Sequence, residues 1–111
     1  MKRVYIAHPL KGDWFAGIRE TKVWAYEAAR RGFMPVAPHV LFDGILDDSD
    51  PDERARGMRL GLAQLAECDE IWLCGDRVSE GMEAERVFAE SRGIHVRRFE
   101  WPSEIPGGLR G

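Results

Sequence analysis

Short apolar runs alternate along the chain with longer amphipathic stretches. Val4-Tyr5-Ile6-Ala7 is the first apolar run and predicts a strand almost at the start. His8-Pro9-Leu10-Lys11-Gly12-Asp13 breaks it, because Pro and Gly punctuate. Residues 14–31 then follow a helical period. Trp14, Ile18, Thr21, Ala25, Ala28 and Ala29 share one face, with Arg19, Glu20, Glu27, Arg30 and Arg31 opposite. Val23 and Trp24 fall off the apolar face, as exposed surface or a subunit contact. Asp13 is the expected N-cap, and Gly32 ends the helix.

Residues 33–37 predict a second strand, closed by Pro38-His39. Residues 40–49 have no clear period and read as a long loop. Asp50 caps the next helix, with Pro51 at its first position. That helix runs to about residue 67, with Ala55, Met58, Leu62, Leu65 and Ala66 as its expected core face. A flatter face of Gly57, Leu60, Gly61 and Gln64 is expected to meet another subunit or a ligand. Residues 69–74 give a third strand and residues 80–91 a helix capped by Ser79. Residues 94–97 give a fourth strand.

This alternation implies an α/β fold: a small doubly wound, flavodoxin/Rossmann-like, mostly parallel sheet of four to five strands with helices on both faces. Residues 1–98 form the expected domain and 99–111 a Pro/Gly-rich tail, packing through Trp101. Ligand-binding loops should follow the strands, at residues 8–13, 38–50 and 75–81.

At 111 residues, 44% hydrophobic and 32% charged, the chain is expected to be one globular domain. Its net charge of −3 argues against a nucleic-acid polymer as partner. No apolar run is long enough to span a membrane and no signal peptide is evident, so a cytoplasmic location is expected. Cys68 and Cys74 flank the third strand, roughly 20 Å apart if it is extended. That exceeds disulfide reach, so both are expected as reduced thiols. No metal pattern is present and no cofactor is implied.

The chemistry concentrates after the third strand. Glu83, Arg86 and Glu90 share the polar face of the last helix, whereas Glu85 falls among Gly81, Ala84, Phe88 and Ala89. An inward carboxylate must be paired with an arginine such as Arg59 or Arg92, hydrogen-bonded, or facing a pocket. Facing a pocket, it could serve as a general base or as a nucleophile at a sugar carbon. The Tyr5 hydroxyl could orient it, and Asp43, Asp47, Asp48 and Asp76 are candidate acids. Arg77, Ser79 and the Gly81 amide lie at a helix N-terminus, a natural anion site. Gly12 could wrap a phosphate or sugar, and His8 and His39 both follow strands into the same cleft.

Tyr5-Ile6-Ala7-His8-Pro9, Pro38-His39, Cys68-Asp69-Glu70 and Ser79-Glu80-Gly81-Met82-Glu83-Ala84-Glu85 occur in this order and at this spacing. Together, over residues 3–98, they resemble the nucleoside 2-deoxyribosyltransferase-like superfamily, in a branch of small bacterial and phage proteins. The resemblance implies cleavage of the N-glycosidic bond of a nucleoside or nucleotide, or deoxyribosyl transfer, through a Glu nucleophile. It places that nucleophile at Glu85, four residues after Gly81, and the orienting tyrosine at Tyr5. The substrate loop falls on Asp76 to Ser79. Asp76 and Asp48 are carried as the catalytic acids. Substrate-binding candidates are His8, Pro9, Gly12, His39, Arg77, Ser79, Gly81 and Met82.

The chain departs from the pattern in three respects, one being the His8-Pro9 pair, which stands where many members have smaller residues after the first strand. Transferases of this kind carry an Asp in the helix before the third strand, where this chain has Arg59, Gly61 and Gln64. It also contains no Asn that a C-terminal extension could donate. A nucleotide-binding or sensing module without turnover is the alternative expectation. The expected partners are a small-molecule nucleoside or nucleotide and further copies of the chain, with no membrane.

Overall fold

The computed structural model describes residues 1–107. Its strands are β1 (Arg3–Ala7), β2 (Met34–Val36), β3 (Glu70–Cys74) and β4 (His95–Phe99), and its helices are α1 (Trp14–Arg30), α2 (Pro38–Phe42), α3 (Pro51–Leu65) and α4 (Glu80–Ser91). The strands form one sheet in the order β2-β1-β3-β4, and every pairing is parallel. Four strands are present, the lower of the two numbers expected. No described helix is long and apolar enough to cross a membrane.

β3 is buried at every position because it lies between two strands and under helices on both faces. A continuous apolar run, Ile71-Trp72-Leu73, is what such a strand requires. Alternation divides the core in two. Tyr5, Ala7, Ile71 and Leu73 point toward Leu65 of α3 and Met82 and Ala89 of α4. Val4, Ile6, Trp72 and Cys74 point the other way, toward Trp24 and Ala28 of α1. There the Trp72 ring meets Phe33 and Phe99 edge-on, at centroid distances of 5.0 and 5.2 Å.

The caps hold as the sequence implies. Asp13 accepts from the Ala16 amide at 3.0 Å, Asp50 from the Asp52 amide at 3.0 Å, and Ser79 from the Met82 amide at 3.3 Å. Each satisfies an N–H that a helix start leaves without a partner. Glu70 is the one buried acid of the sheet. It takes hydrogen bonds from Trp72 Nε1 at 2.8 Å and Lys2 Nζ at 3.1 Å, with Arg97 3.6 Å away. Burial alone would raise its pKa, but these donors outweigh it and hold the carboxyl below its usual range.

Five expectations need correction. Trp24 lies in the core at 3% exposure, while Val23 and Ala29 are exposed. The inward stripe of α1 is Gly17, Ile18, Thr21, Trp24 and Ala28; Ile18, Thr21 and Ala28 lie where expected, and Gly17 and Trp24 join them. Likewise α3 turns Gly57, Gly61 and Leu65 inward, and Met58, at 63% exposure, outward. The glycine face meets this chain's own Leu46, Pro38 and Tyr5, where another subunit or a ligand was expected. Small residues sit there because α3 comes close. Residues 40–49 are not a loop throughout, since α2 runs to Phe42. After β4, Ile105 and not Trp101 reaches the core: Ile105 is buried and Trp101 is 59% exposed. Residues 108–111 of the expected tail lie outside the described residues.

β2 is an edge strand of three residues. The Met34 amide donates to Lys2 O at 2.8 Å, which fixes its register against β1.

Candidate functional site

The sheet brings Tyr5 and Glu85 together across 80 positions of sequence. Tyr5 is the middle residue of β1, two residues before its carboxyl end, and faces α4. α4 returns over the same face and anchors itself through Met82 and Ala89. Glu85 lies between those anchors, three and four residues away, so it must point down toward the strand. The Tyr5 hydroxyl donates to Glu85 Oε2 at 2.5 Å.

Glu85 is half-buried, and neither Arg59 nor Arg92 pairs with it. Arg92 instead stacks on the Phe88 ring, 4.5 Å from its centroid. Burial pushes the Glu85 carboxyl up from its ordinary value to about 7, against the lowering effect of the Tyr5 hydrogen bond. Tyr5 is held well above the usual phenol range, first by burial and then by the charge and hydrogen bond of Glu85. A carboxyl that titrates near neutrality beside a fixed donor is suited to nucleophilic or acid–base work. Ion-pair formation, the structural alternative for an inward acid, is not what holds it.

Gly61 of α3 and Pro38 of α2 close the site from above. A Cβ on Gly61 would lie 3.5 Å from the Tyr5 hydroxyl and 3.7 Å from Pro38 Cβ. At this position α3 offers only backbone.

The two loops at this edge are joined to each other. Arg77 Nη2 donates to Lys11 O at 3.1 Å, and Arg77 Nη1 lies 3.6 Å from Asp76. Gly75 has φ +104° and packs on the His8 ring: a Cβ would be 3.1 Å from His8 Nε2. His8 is buried, with Nδ1 2.9 Å from Pro9 O and Nε2 3.2 Å from Glu20. Pro9 is buried beside Gly17, whose added Cβ would meet Pro9 O at 2.7 Å. Gly12 takes a positive φ of 105° in open space.

The other candidates spread around the rim. Ser79 caps α4 and Gly81 is exposed. Met82 faces the core at 1% exposure, so it anchors the helix and does not line the cleft. Asp76 and Asp48 are both exposed, and neither is hydrogen-bonded to Glu85. His39 is solvent-reached and sits edge-on to Trp14 at 6.4 Å. The crowded atoms around its ring lower its pKa by desolvation, opposed by the charge of Asp48. Trp14 Nε1 donates to Asp43 at 2.9 Å. Sequence reasoning missed Trp14 as a rim residue, because its place on the helical wheel reads as core. Cys68 and Cys74 are buried free thiols. Burial, the larger cause for each, raises the Cys68 pKa to about 11 and that of Cys74 higher, so neither is a nucleophile at neutral pH.

The four-stranded parallel sheet and its helices make this an α/β protein with the fold of the 2-deoxyribosyltransferases. The 2-deoxyribosyltransferase from the psychrotolerant bacterium Bacillus psychrosaccharolyticus superposes with a TM-score of 0.72 at 16% identity, over 94% of this chain and 76% of that one. The 2-desoxiribosyltransferase from Leishmania mexicana superposes with a TM-score of 0.61 at 20% identity, over 90% of this chain and 65% of that one. At these identities the likeness is one of fold. The chain belongs to the family described as "Domain of unknown function (DUF7768)", whose model matches residues 2–99. A sequence comparison with curated proteins finds no match.

Proposed function

We propose that the protein cleaves the N-glycosidic bond of a nucleoside or nucleotide, with Glu85 as nucleophile. The observation that carries this is the Tyr5–Glu85 contact: a carboxyl with no cationic partner among the described residues, held by one phenol of β1. The ionised carboxylate attacks the anomeric carbon as the C–N bond breaks, giving a sugar ester on Glu85. The departing base takes a proton from an acid, for which Asp48 and Asp76 are the candidates of this chain. Water, or a second base, then displaces Glu85 and releases the sugar. Tyr5 fixes the carboxylate oxygen that does not attack. Ser79, Arg77 and the first amides of α4 are suited to a phosphate or sugar hydroxyl. Further copies of the chain complete the site in a homo-oligomer and supply the acid that this chain does not place beside Glu85.

Binding without turnover is the second reading, and one observation favours it. Both candidate acids of this chain are exposed, and neither is hydrogen-bonded to Glu85. Incubation with a panel of nucleosides and nucleotides, followed by chromatography for free base, decides between the two. The enzyme reading expects base release that Glu85→Gln abolishes while ligand-induced thermal stabilisation survives. Stabilisation with no base released at long incubation refutes it in favour of binding alone.

A further inference from the structure

The outward side of α1 carries a pattern that packing against the sheet does not require. Phe15 is 83% exposed, Tyr26 63% and Val23 49%, and Arg19 and Lys22 are exposed between them. Phe15, Arg19, Lys22 and Tyr26 follow at intervals of four, three and four residues. They therefore share about a sixth of the helix circumference, over a length of about 16 Å. The two acids of α1 are turned aside and occupied. Glu20 lies 3.2 Å from His8 Nε2, and Glu27 pairs with Arg30 and Arg31. Among the described residues Arg19 and Lys22 have no ion-pair partner. The result is a straight seam with an aromatic ring at each end and two free cations between.

We propose that this seam docks an acidic helical segment of another protein, with carboxylates facing Arg19 and Lys22 and aliphatic side chains facing Phe15 and Tyr26. The four-three-four spacing is that of a helix–helix seam, so a helix matches it side chain for side chain. Aromatic rings supply most of the apolar area such contacts bury, and the cations select the sign of the partner. A second copy does not fit. A two-fold antiparallel pairing sets Arg19 of each copy against Lys22 of the other, a like-charge contact made twice. A broad polyanion fits poorly as well. Glu20 and Glu27 flank the seam about a quarter turn from Arg19, where phosphates spread across the helix would meet them. A narrow helix lying along the seam avoids both.

The test uses the whole chain and fluorescein-labelled peptides of roughly 20 residues, long enough to hold a helix. One carries leucine and glutamate along a four-three seam. Its counterparts replace glutamate with glutamine or with lysine. The glutamate peptide is expected to bind measurably better than the glutamine one, and to weaken several-fold as salt rises. Arg19→Glu combined with Lys22→Glu should reduce its binding at least tenfold and create binding of the lysine peptide. Phe15→Ser should weaken the glutamate peptide without altering its salt dependence. All substituted positions are exposed, and an unchanged circular dichroism spectrum and melting temperature establish that the variants fold. The proposal is overturned if the glutamine peptide binds equally well or if the charge swap fails to transfer binding. It is also overturned if an oligothymidylate or phosphatidylserine vesicles bind the seam more tightly than the glutamate peptide. Sedimentation showing self-association that the same charge reversals abolish overturns it in favour of a homotypic contact.

Discussion

Replacing Glu85 with glutamine isolates the free energy of ionising a carboxyl in this site. Glutamine keeps the shape and can still accept from the Tyr5 hydroxyl, but it never carries charge. In the folded protein burial raises Glu85 from its ordinary 4.5 to about 7. The folded state therefore holds a proton that the unfolded chain releases between those two values. Such a group favours folding fully below pH 4.5, and that advantage is lost as pH rises through about 7. The shift corresponds to roughly 3 kcal/mol, a sizeable part of the stability of a small domain. The measurable quantity is the difference in unfolding free energy between Glu85→Gln and the unsubstituted protein, from urea titrations across this range. Taking the difference removes groups common to both. It should be near zero at pH 4.5 and reach roughly 3 kcal/mol in favour of the variant by pH 8. A pH-independent difference, or a variant less stable at pH 8, would refute the reasoning, because the fold would then be stabilising the carboxylate. The same titration governs activity: base release through an ionised Glu85 should rise with pH through about 7.

Tyr5→Phe removes the hydroxyl that lowers the Glu85 pKa, so the midpoint of the Glu85 titration, followed by carboxyl NMR, should move above about 7. An unmoved or lowered midpoint would mean that the hydroxyl is not the donor. Gly75→Ala places a Cβ at a positive φ and 3.1 Å from His8 Nε2. It should lower unfolding free energy by at least about 1 kcal/mol, and an unchanged urea midpoint would show that the loop yields freely. Trp72→Ala removes a fully buried ring and the donor to Glu70. It should cost about 3–5 kcal/mol in a denaturation experiment, and a loss under about 1 kcal/mol would contradict the packing described.

The order of strands and helices was legible because each buried strand is an unbroken apolar run and α1, α3 and α4 each start at a capping side chain. Glu85 was legible for a related reason. On an amphipathic helix a carboxylate inside the apolar arc stands out, and the partners that define the arc here, Phe88 and Ala89, are apolar. Hydropathy failed where close approach mattered more than apolar area. Gly17 continues the stripe that buries Trp24, yet it does not score as hydrophobic, so the arc was drawn one position too far round. On α3, Gly57 and Gly61 mark the side that touches Pro38 and Leu46, and the larger Met58 drew the core face away from it. α2 is five residues long and too short to show a period. The ties between loops, such as Arg77 to Lys11 O, depend on a register that no local pattern encodes.

The short edge strand β2 has a consequence for the behaviour of this protein at high concentration. Since the Met34 amide turns inward to Lys2, alternation turns the next backbone position outward, and that position is Pro35. Proline has no N–H, so this side of the sheet offers an incoming strand no donor at its midpoint. Recruitment of a second chain, the first step of strand-to-strand aggregation, is blocked there by one covalent ring. The other edge, β4, carries Arg97 and Arg98, whose charges would be brought together if two such edges met. Pro35→Val would restore the missing donor without changing the fold, and with it an open edge for self-assembly.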